Sequence, residues 1–199
     1  MPLSADDLRH RIRELEQDLV SQPARISAYH DLPFAILRYD PPDEYLMRRE
    51  AVLLATRLQE NHRRHVTFIS IGEILWRAIR ETEGVAAIVS EEQELGFDRA
   101  QRTVSTILSD PEFAPLPRVL LERMRPLGPN TDVAFIVRAA ALAPAIYHVS
   151  KLLDELQGHT LVPAILFYPG SVSTESNTGL RFMSMPNREA YGNYRVKIY

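Results

Sequence analysis

The sequence predicts an α/β fold: a single domain over residues 1–199, built on a mostly parallel, doubly wound sheet with an N-terminal helix and C-terminal edge strands. Short apolar runs alternate with segments of helical periodicity, the pattern of β-α-β units. The runs are continuously apolar, as expected of strands that are covered on both faces. A chain of 199 residues with 45% hydrophobic side chains can bury a substantial core. No internal repeat or linker interrupts it, so we predict one domain.

The N-terminal segment predicts an amphipathic helix that begins after Ser4 and ends before Pro23. Its apolar side chains recur at steps of three and four residues, at Leu8, Ile12, Leu15 and Leu19. Such a stripe fits a helix that covers one face of the core, or alternatively an arm that docks a partner. We favour the first interpretation.

Five segments are predicted as strands of the parallel sheet. They are residues 34–37, 65–70, 85–90, 132–137 and 161–167. Ser70 and Glu73 form a capping-box pattern at the start of the helix after the second strand. We expect Leu75 and Trp76 of that helix to lie in the core; the alternative is a platform on which a ring stacks. Two more strand-like segments, at residues 179–183 and 192–199, are expected to extend the sheet or to form an edge hairpin.

Several classes of chemistry have no matching pattern in the sequence. The chain has no cysteine, which excludes disulfides, thiolate metal sites and a cysteine nucleophile. The two lysines, Lys151 and Lys197, do not follow a glycine-rich loop as a Walker A motif requires, and no acid-x-lysine nuclease pattern is present. No serine has the Gly-x-Ser-x-Gly setting. We therefore predict no catalytic residues, metal site or cofactor, and we favour a protein that is not an enzyme while leaving activity open.

A candidate ligand site is predicted where ligands collect in open α/β sheets, beyond the carboxyl ends of the strands. The loop at residues 170–179, rich in Gly, Ser, Thr and Asn, is the best phosphate cradle, and nearby arginines would supply charge. It supports an alternative function, that of a protein, with or without enzymatic activity, that binds a nucleotide or another phosphate ligand. The candidate residues are Arg38, Asp40, Arg138, Gly170, Ser171, Arg181 and Arg195. The alternative is an ordinary surface turn, with arginines that anchor loops.

Charge and targeting patterns narrow the setting. The net charge of −3 argues against a general nucleic-acid binder. Direct DNA binding through Arg48, Arg49, Arg63 and Arg64 stays open as an alternative. The N-terminus lacks the pattern of a signal peptide and no apolar run is long enough to span a bilayer, so a cytoplasmic protein without membrane contact is expected.

The order of the motifs along the chain resembles the BrxB family of bacterial BREX phage-defence systems. The resemblance spans nearly the full length, and the ending Asn193-Tyr-Arg-Val-Lys-Ile-Tyr199 is its most specific part. The other matching segments are residues 32–40, 48–50, 68–70, 132–138, 162–170 and 180–183.

This resemblance implies an accessory subunit encoded in a phage-resistance operon. Its expected partner is a PglZ-type, alkaline-phosphatase-like protein, with other BREX subunits in the wider assembly and contact with DNA through the complex. The resemblance supplies no catalytic residues. The predicted partner contacts lie on the first helix and the last strand, at Leu8, Ile12, Leu15, Tyr194 and Tyr199.

Overall fold

The computed structural model of the protein describes residues 5–21, 25–26, 33–144, 146–172, 179–185 and 196–199. The helices are α1 (Ala5–Val20), α2 (Glu44–His62), α3 (Ile71–Glu81), α4 (Val85–Leu95), α5 (Phe97–Ser109), α6 (Leu116–Met124) and α7 (Val149–Leu156). The strands are β1 (Phe34–Tyr39), β2 (His65–Ser70), β3 (Asp132–Val137), β4 (Ala164–Val172), β5 (Leu180–Phe182) and β6 (Lys197–Ile198). Short 3-10 turns occupy Pro41–Asp43 and Ala139–Leu142.

The strands form a sheet in the order β2-β3-β4-β1-β6, and all neighbours on this path are parallel. The chain leaves β1, crosses to the far edge at β2, and returns through β3 and β4 to pair with β1. β5 turns back to pair antiparallel with the end of β4. The predicted parallel α/β sheet with C-terminal edge strands is confirmed.

Two apolar cores lie on opposite faces of the sheet, because successive side chains of a strand point to opposite faces. Helices α1 and α2 cover one face, where Leu37, Phe135 and Phe167 are buried. Helices α3, α5, α6 and α7 cover the other, over Ile36, Ile136 and Leu166. Burial on both faces explains why these strands are continuously apolar.

The apolar stripe of α1 belongs to the first core. Leu8, Ile12 and Leu15 are at most 2% exposed, so the exposed stripe that a docking arm requires is absent. Their assignment as partner contacts was therefore wrong: the side chains are already covered by α2 and the sheet. The alternative, a helix that covers one face of the core, is confirmed.

The predicted strand at residues 85–90 is also wrong, because this segment opens helix α4. The periodicity of a short apolar run does not distinguish a buried strand from a segment of helix. Here Ala86 and Ala87 favour a helix, and the run continues into glutamates that favour it too. Gly84 and Gly96, both at positive φ, bound the helix at its two ends.

Strand β6 forms the edge of the sheet beside β1. The Tyr199 amide donates to the carbonyl of Ile36 at 2.9 Å, and the Arg38 amide donates to the carbonyl of Tyr199 at 3.1 Å. Tyr199 is buried, and its hydroxyl donates to Asp18 of α1 at 2.6 Å, where Lys197 also donates. Tyr199, predicted as a partner contact, is therefore an internal tie; Tyr194 lies outside the described residues.

The tie between Asp18 and the last strand predicts a pH-dependent stability. Burial of Asp18 raises the pKa of its carboxyl, but the hydrogen bonds from Lys197 and Tyr199 outweigh burial and hold the pKa below its ordinary value of 3.8. Because the folded pKa is the lower one, the stabilisation is present above 3.8 and is lost as pH falls through the folded value. We expect Asp18→Asn to lower the free energy of unfolding by about 1–2 kcal/mol at neutral pH.

Urea unfolding across a pH series checks this prediction. The gap between wild type and Asp18→Asn should close at acid pH, where both side chains are neutral. Asp6→Asn is the matched control, because Asp6 lies on the same helix with 94% of its side chain exposed. It should change stability by less than about 0.5 kcal/mol. A gap that stays constant at all pH values would contradict the role given to the carboxylate.

Candidate functional site

Five of the predicted ligand residues meet at the carboxyl ends of β1 and β4. Arg38 is 5% exposed, and its Nη1 donates to the carbonyl of Gly170 at 3.1 Å and to Oδ1 of Asp40 at 3.2 Å. Burial lowers the pKa of Arg38, and the charge of Arg11 lowers it further, against the opposite effect of Asp40. The guanidinium thus ties the end of β4 to the segment that follows β1. This position favours the interpretation of Arg38 as a loop anchor.

The start of the predicted phosphate loop is closely packed. Gly170 pairs with Phe182 and Ser171 with Arg181 in the antiparallel ladder of β4 and β5. A Cβ on Gly170 would overlap the carbonyl oxygen of Arg181 and would lie 2.6 Å from the ring of Tyr168. Glycine is required at this position by a close approach of two backbones, which leaves no space there for an anion. Residues 173–178 and Arg195 lie outside the described residues, so a ligand role for them stays a prediction.

Arg138 lies apart from this cluster, in a second feature of the carboxyl edge that we call the arginine groove. The groove has a volume of about 470 Å³ and is lined by Glu44, Arg48, Gly72, Glu73, Trp76, Arg80, Arg138, Ala140 and Ala141. Arg138 ends β3 with a left-handed backbone, at φ 60°, and its side chain is exposed. The structure therefore separates Arg138 from Arg38, Gly170 and Arg181.

The wall of the groove formed by α2 is fixed by Glu44. This carboxylate accepts a hydrogen bond from the Tyr39 hydroxyl and another from Nε of Arg48 at 2.8 Å. Burial and the bond to Glu44 raise the pKa of Tyr39. The Arg48 guanidinium also lies 5.5 Å from the centre of the Tyr45 ring, and this ring is 82% exposed.

Trp76 faces the groove and contradicts its predicted place in the core, since it is 54% exposed while Leu75 is buried. The buried positions of α3 are Ile71, Ile74, Leu75, Ala78 and Ile79. Position 76 lies off this stripe, so a careful count of the helical period would have placed the indole outside. The groove itself was not predictable from the sequence, because its lining comes from three elements that are distant along the chain.

A third feature is the hairpin of α4 and α5. None of the residues of α4 is buried, although it begins Val85-Ala-Ala-Ile-Val89. Four large apolar side chains are exposed on or next to it: Val85, Val89, Leu95 and Phe97, at 38%, 45%, 64% and 54%. We call these four residues the α4 surface. Sequence reasoning missed it because the segment was interpreted as a buried strand.

The DNA-binding, metal-binding and membrane-spanning features considered from the sequence remain to be located in the structure. Arg64 of the proposed DNA-binding set donates to the carbonyls of Asn130 and Leu19, at 2.9 and 3.3 Å, and Arg63 ends α2 in a left-handed conformation. Within the described ranges, no group of three or more His, Asp or Glu side chains is placed to hold a metal ion. None of the described helices is long and apolar enough to cross a membrane.

Comparison with known proteins decides the family. A family model described as "BREX protein BrxB" matches residues 67–198, more than half of the chain. The chain belongs to the BrxB family. A relative named BREX protein BrxB, from Bacillus cereus strain H3081.97, is 23% identical over 145 residues, which cover 71% of this chain and 72% of the relative. No solved structure matches the chain. Membership of the BrxB family implies a role in BREX phage defence.

The matched range contains most of the features described above. It begins within β2 and includes the α4 surface and the cluster of Gly170 and Arg181. It also includes the part of the arginine groove that α3 and Arg138 form. Helices α1 and α2 and strand β1 precede it. The α4 surface is thus part of the family domain.

Proposed function

We propose that this BrxB family member is a non-enzymatic accessory subunit of a BREX phage-defence complex, and that it docks a PglZ-type, alkaline-phosphatase-like protein through the α4 surface. The observation that carries the proposal is a helix rich in apolar residues with none of them buried. A cytoplasmic setting for the complex is part of the proposal.

Exposed apolar area of this kind is a common mark of a protein interface. Val85, Val89 and Phe97 would each release ordered water when a partner covers them, which is a favourable change of roughly 25 cal/mol for each Å² of apolar surface. The described chain leaves these side chains 38–54% exposed. A partner subunit is the simplest way to cover them.

A groove beside α4 offers a seat for a partner segment. It has a volume of about 650 Å³ between α4 and α5, and its apolar lining residues are Ala87, Ile88, Leu95, Ile107 and Phe113. Carboxylates line it as well, and one of them, Glu91, accepts hydrogen bonds from Arg99 at 3.0 Å and Thr103 at 2.9 Å. Arg99 and Arg102 also line the groove, so its charge is mixed. An amphipathic helix of the partner, apolar on one face, fits such a groove.

Loss of docking through a single substitution tests the proposal. The chain would be co-expressed with the PglZ-type protein of its own operon, and the product analysed by size-exclusion chromatography with mass determination. Wild type should elute as one peak at the summed mass. Val89→Glu should give separate peaks, because a charge buried at the centre of an interface weakens binding by about tenfold or more.

The matched control is Val52→Glu, which places the same charge on an exposed valine of α2, 56% accessible and outside the α4 surface. It should co-elute with the partner as wild type does. Both variants should keep the wild-type thermal midpoint, because both valines are exposed. Co-elution of Val89→Glu at wild-type affinity would reject the α4 surface. Separate peaks for wild type at micromolar concentrations would reject docking itself.

A further inference from the structure

The arginine groove is a second surface of the molecule whose chemistry the docking proposal does not use. It lies at the carboxyl edge of the sheet, beyond the ends of β2 and β3, where open α/β sheets bind ligands. The residues that line it are different from those of the α4 surface and of the groove beside α4. Its function can therefore succeed or fail independently of docking.

Two of its arginines are available to a ligand. Arg80 and Arg138 are exposed, and among the described residues neither makes an ion pair or a side-chain hydrogen bond. Arg48 also lines the groove but is paired with Glu44 through its Nε, so we expect it to be a weaker third contact. A guanidinium offers a planar fork of donors that matches phosphate oxygens.

Charge balance shows what the groove can attract. Three arginines face two carboxylates, Glu44 and Glu73, so the local charge is positive on a chain whose net charge is −3. The charge of Glu44 is balanced by Arg48, and the Tyr39 hydroxyl donates a further hydrogen bond to this carboxylate. The excess of one positive charge suits a single phosphate group, and it is too small for the long basic footprint that duplex DNA requires.

Trp76 adds the second half of the argument. The sole tryptophan of the chain presents 54% of its surface next to these arginines, while the apolar side chains of the same helix that face inward are buried. An exposed indole beside cations is a stacking platform for a flat, electron-rich ring such as a nucleobase. A bare phosphate or an acidic peptide would use the arginines alone and leave the indole in water.

We propose that the arginine groove binds a nucleotide unit, with its phosphate on Arg80 and Arg138 and its base stacked on Trp76. The volume of about 470 Å³ is of the size that small-molecule sites show. The same chemistry is presented by a free mononucleotide and by an unpaired nucleotide of a single strand. The experiment below separates these two sources.

Tryptophan fluorescence tests the proposal directly, because the only indole of the protein lies in the proposed site. The full chain would be titrated with ATP and AMP, with and without magnesium, and with short single-stranded oligothymidylate. Inorganic phosphate and pyrophosphate form a further arm. Stacking predicts saturable quenching by at least one nucleotide source, with a dissociation constant that rises as salt is added.

Variants assign the effect to the groove. We expect Arg80→Gln and Arg138→Gln each to weaken nucleotide binding by about tenfold, the effect of losing one charge-assisted contact. Arg77→Gln is the matched control: Arg77 lies on the same helix, pairs with Glu81 at 2.7 Å, and does not line the groove. It should bind as wild type does. Trp76→Ala, followed by calorimetry, should weaken binding by about tenfold while sparing the fold.

Each outcome decides the proposal. Quenching by mononucleotides identifies a free nucleotide as the ligand, whereas quenching by the oligonucleotide alone identifies a single strand. Quenching that persists equally in Arg80→Gln and Arg138→Gln would overturn the site. Binding of inorganic phosphate without any nucleotide effect would overturn the stacking claim. The absence of both saturable quenching and heat of binding would overturn the proposal entirely.

Discussion

Replacing Gly170 with alanine is expected to destabilise the protein by about 3 kcal/mol, since the added Cβ would overlap backbone that cannot move aside. The nearest atom is the carbonyl oxygen of Arg181, and the ring of Tyr168 follows at 2.6 Å. Relief would require β5 to separate from β4, because Gly170 and Phe182 are direct partners in that ladder. Urea unfolding followed by circular dichroism measures the loss.

Gly72→Ala provides a control of opposite sign. Gly72 lies within α3, where a Cβ would find Ala141 at 3.6 Å, an ordinary contact. Alanine also favours the helix over glycine, so this variant should gain roughly 0.5–1 kcal/mol. Equal stability of Gly170→Ala and wild type would show that the two backbones do not approach as described. It would also reopen the start of this loop as a place for a ligand.

The second large effect is expected at Arg38. Arg38→Gln should lower the free energy of unfolding by about 2–4 kcal/mol, because it removes a buried guanidinium together with its hydrogen bonds to Asp40 and to the carbonyl of Gly170. The sequence alone supported a ligand role for this residue. If Arg38 instead contacted a ligand, Arg38→Gln would weaken ligand binding and leave the free energy of unfolding nearly unchanged.

Arg77→Gln is the matched control for stability as well as for binding. Its partner is Glu81 at i+4, and the Arg77 side chain is 54% exposed, so the change should cost less than about 0.5 kcal/mol. The comparison isolates burial as the cause, since both variants remove one arginine. A loss of stability in Arg38→Gln no greater than that in Arg77→Gln would contradict the structural role given to Arg38. It would also restore Arg38 to the candidate ligand residues.

These predictions divide the carboxyl edge of the sheet into two parts with different roles. The half formed by β1 and β4 is closed by Arg38 and by the hairpin of β4 and β5. The half formed by β2 and β3 is open and carries Trp76, Arg80 and Arg138. The closed half stabilises the fold, and the open half is the proposed binding site.

Much of the fold was predictable from local pattern. The continuous apolar runs of β1, β3 and β4 predict strands covered on both faces, and the period of α1 predicts a helix with one apolar stripe. The exception was the segment Val85–Val89, which has the composition of a buried strand and the structure of an exposed helix. Composition records which residues are apolar, but it does not record whether another part of the chain covers them.

The candidate site was predictable only as a set of residues near strand ends. Strand order decides which of them meet: β4 pairs with β1, so Arg38 reaches Gly170, while β3 lies beside β2 and carries Arg138 to Trp76. The sequence by itself determined most of the secondary structure, the parallel type of the sheet and the residue types at its edge, because these depend mainly on neighbours within a few positions. Only the tertiary structure decided which arginine is a buried clamp and which is exposed, because burial is set by contacts more than a hundred residues apart along the chain, such as the 132-residue separation of Arg38 and Gly170.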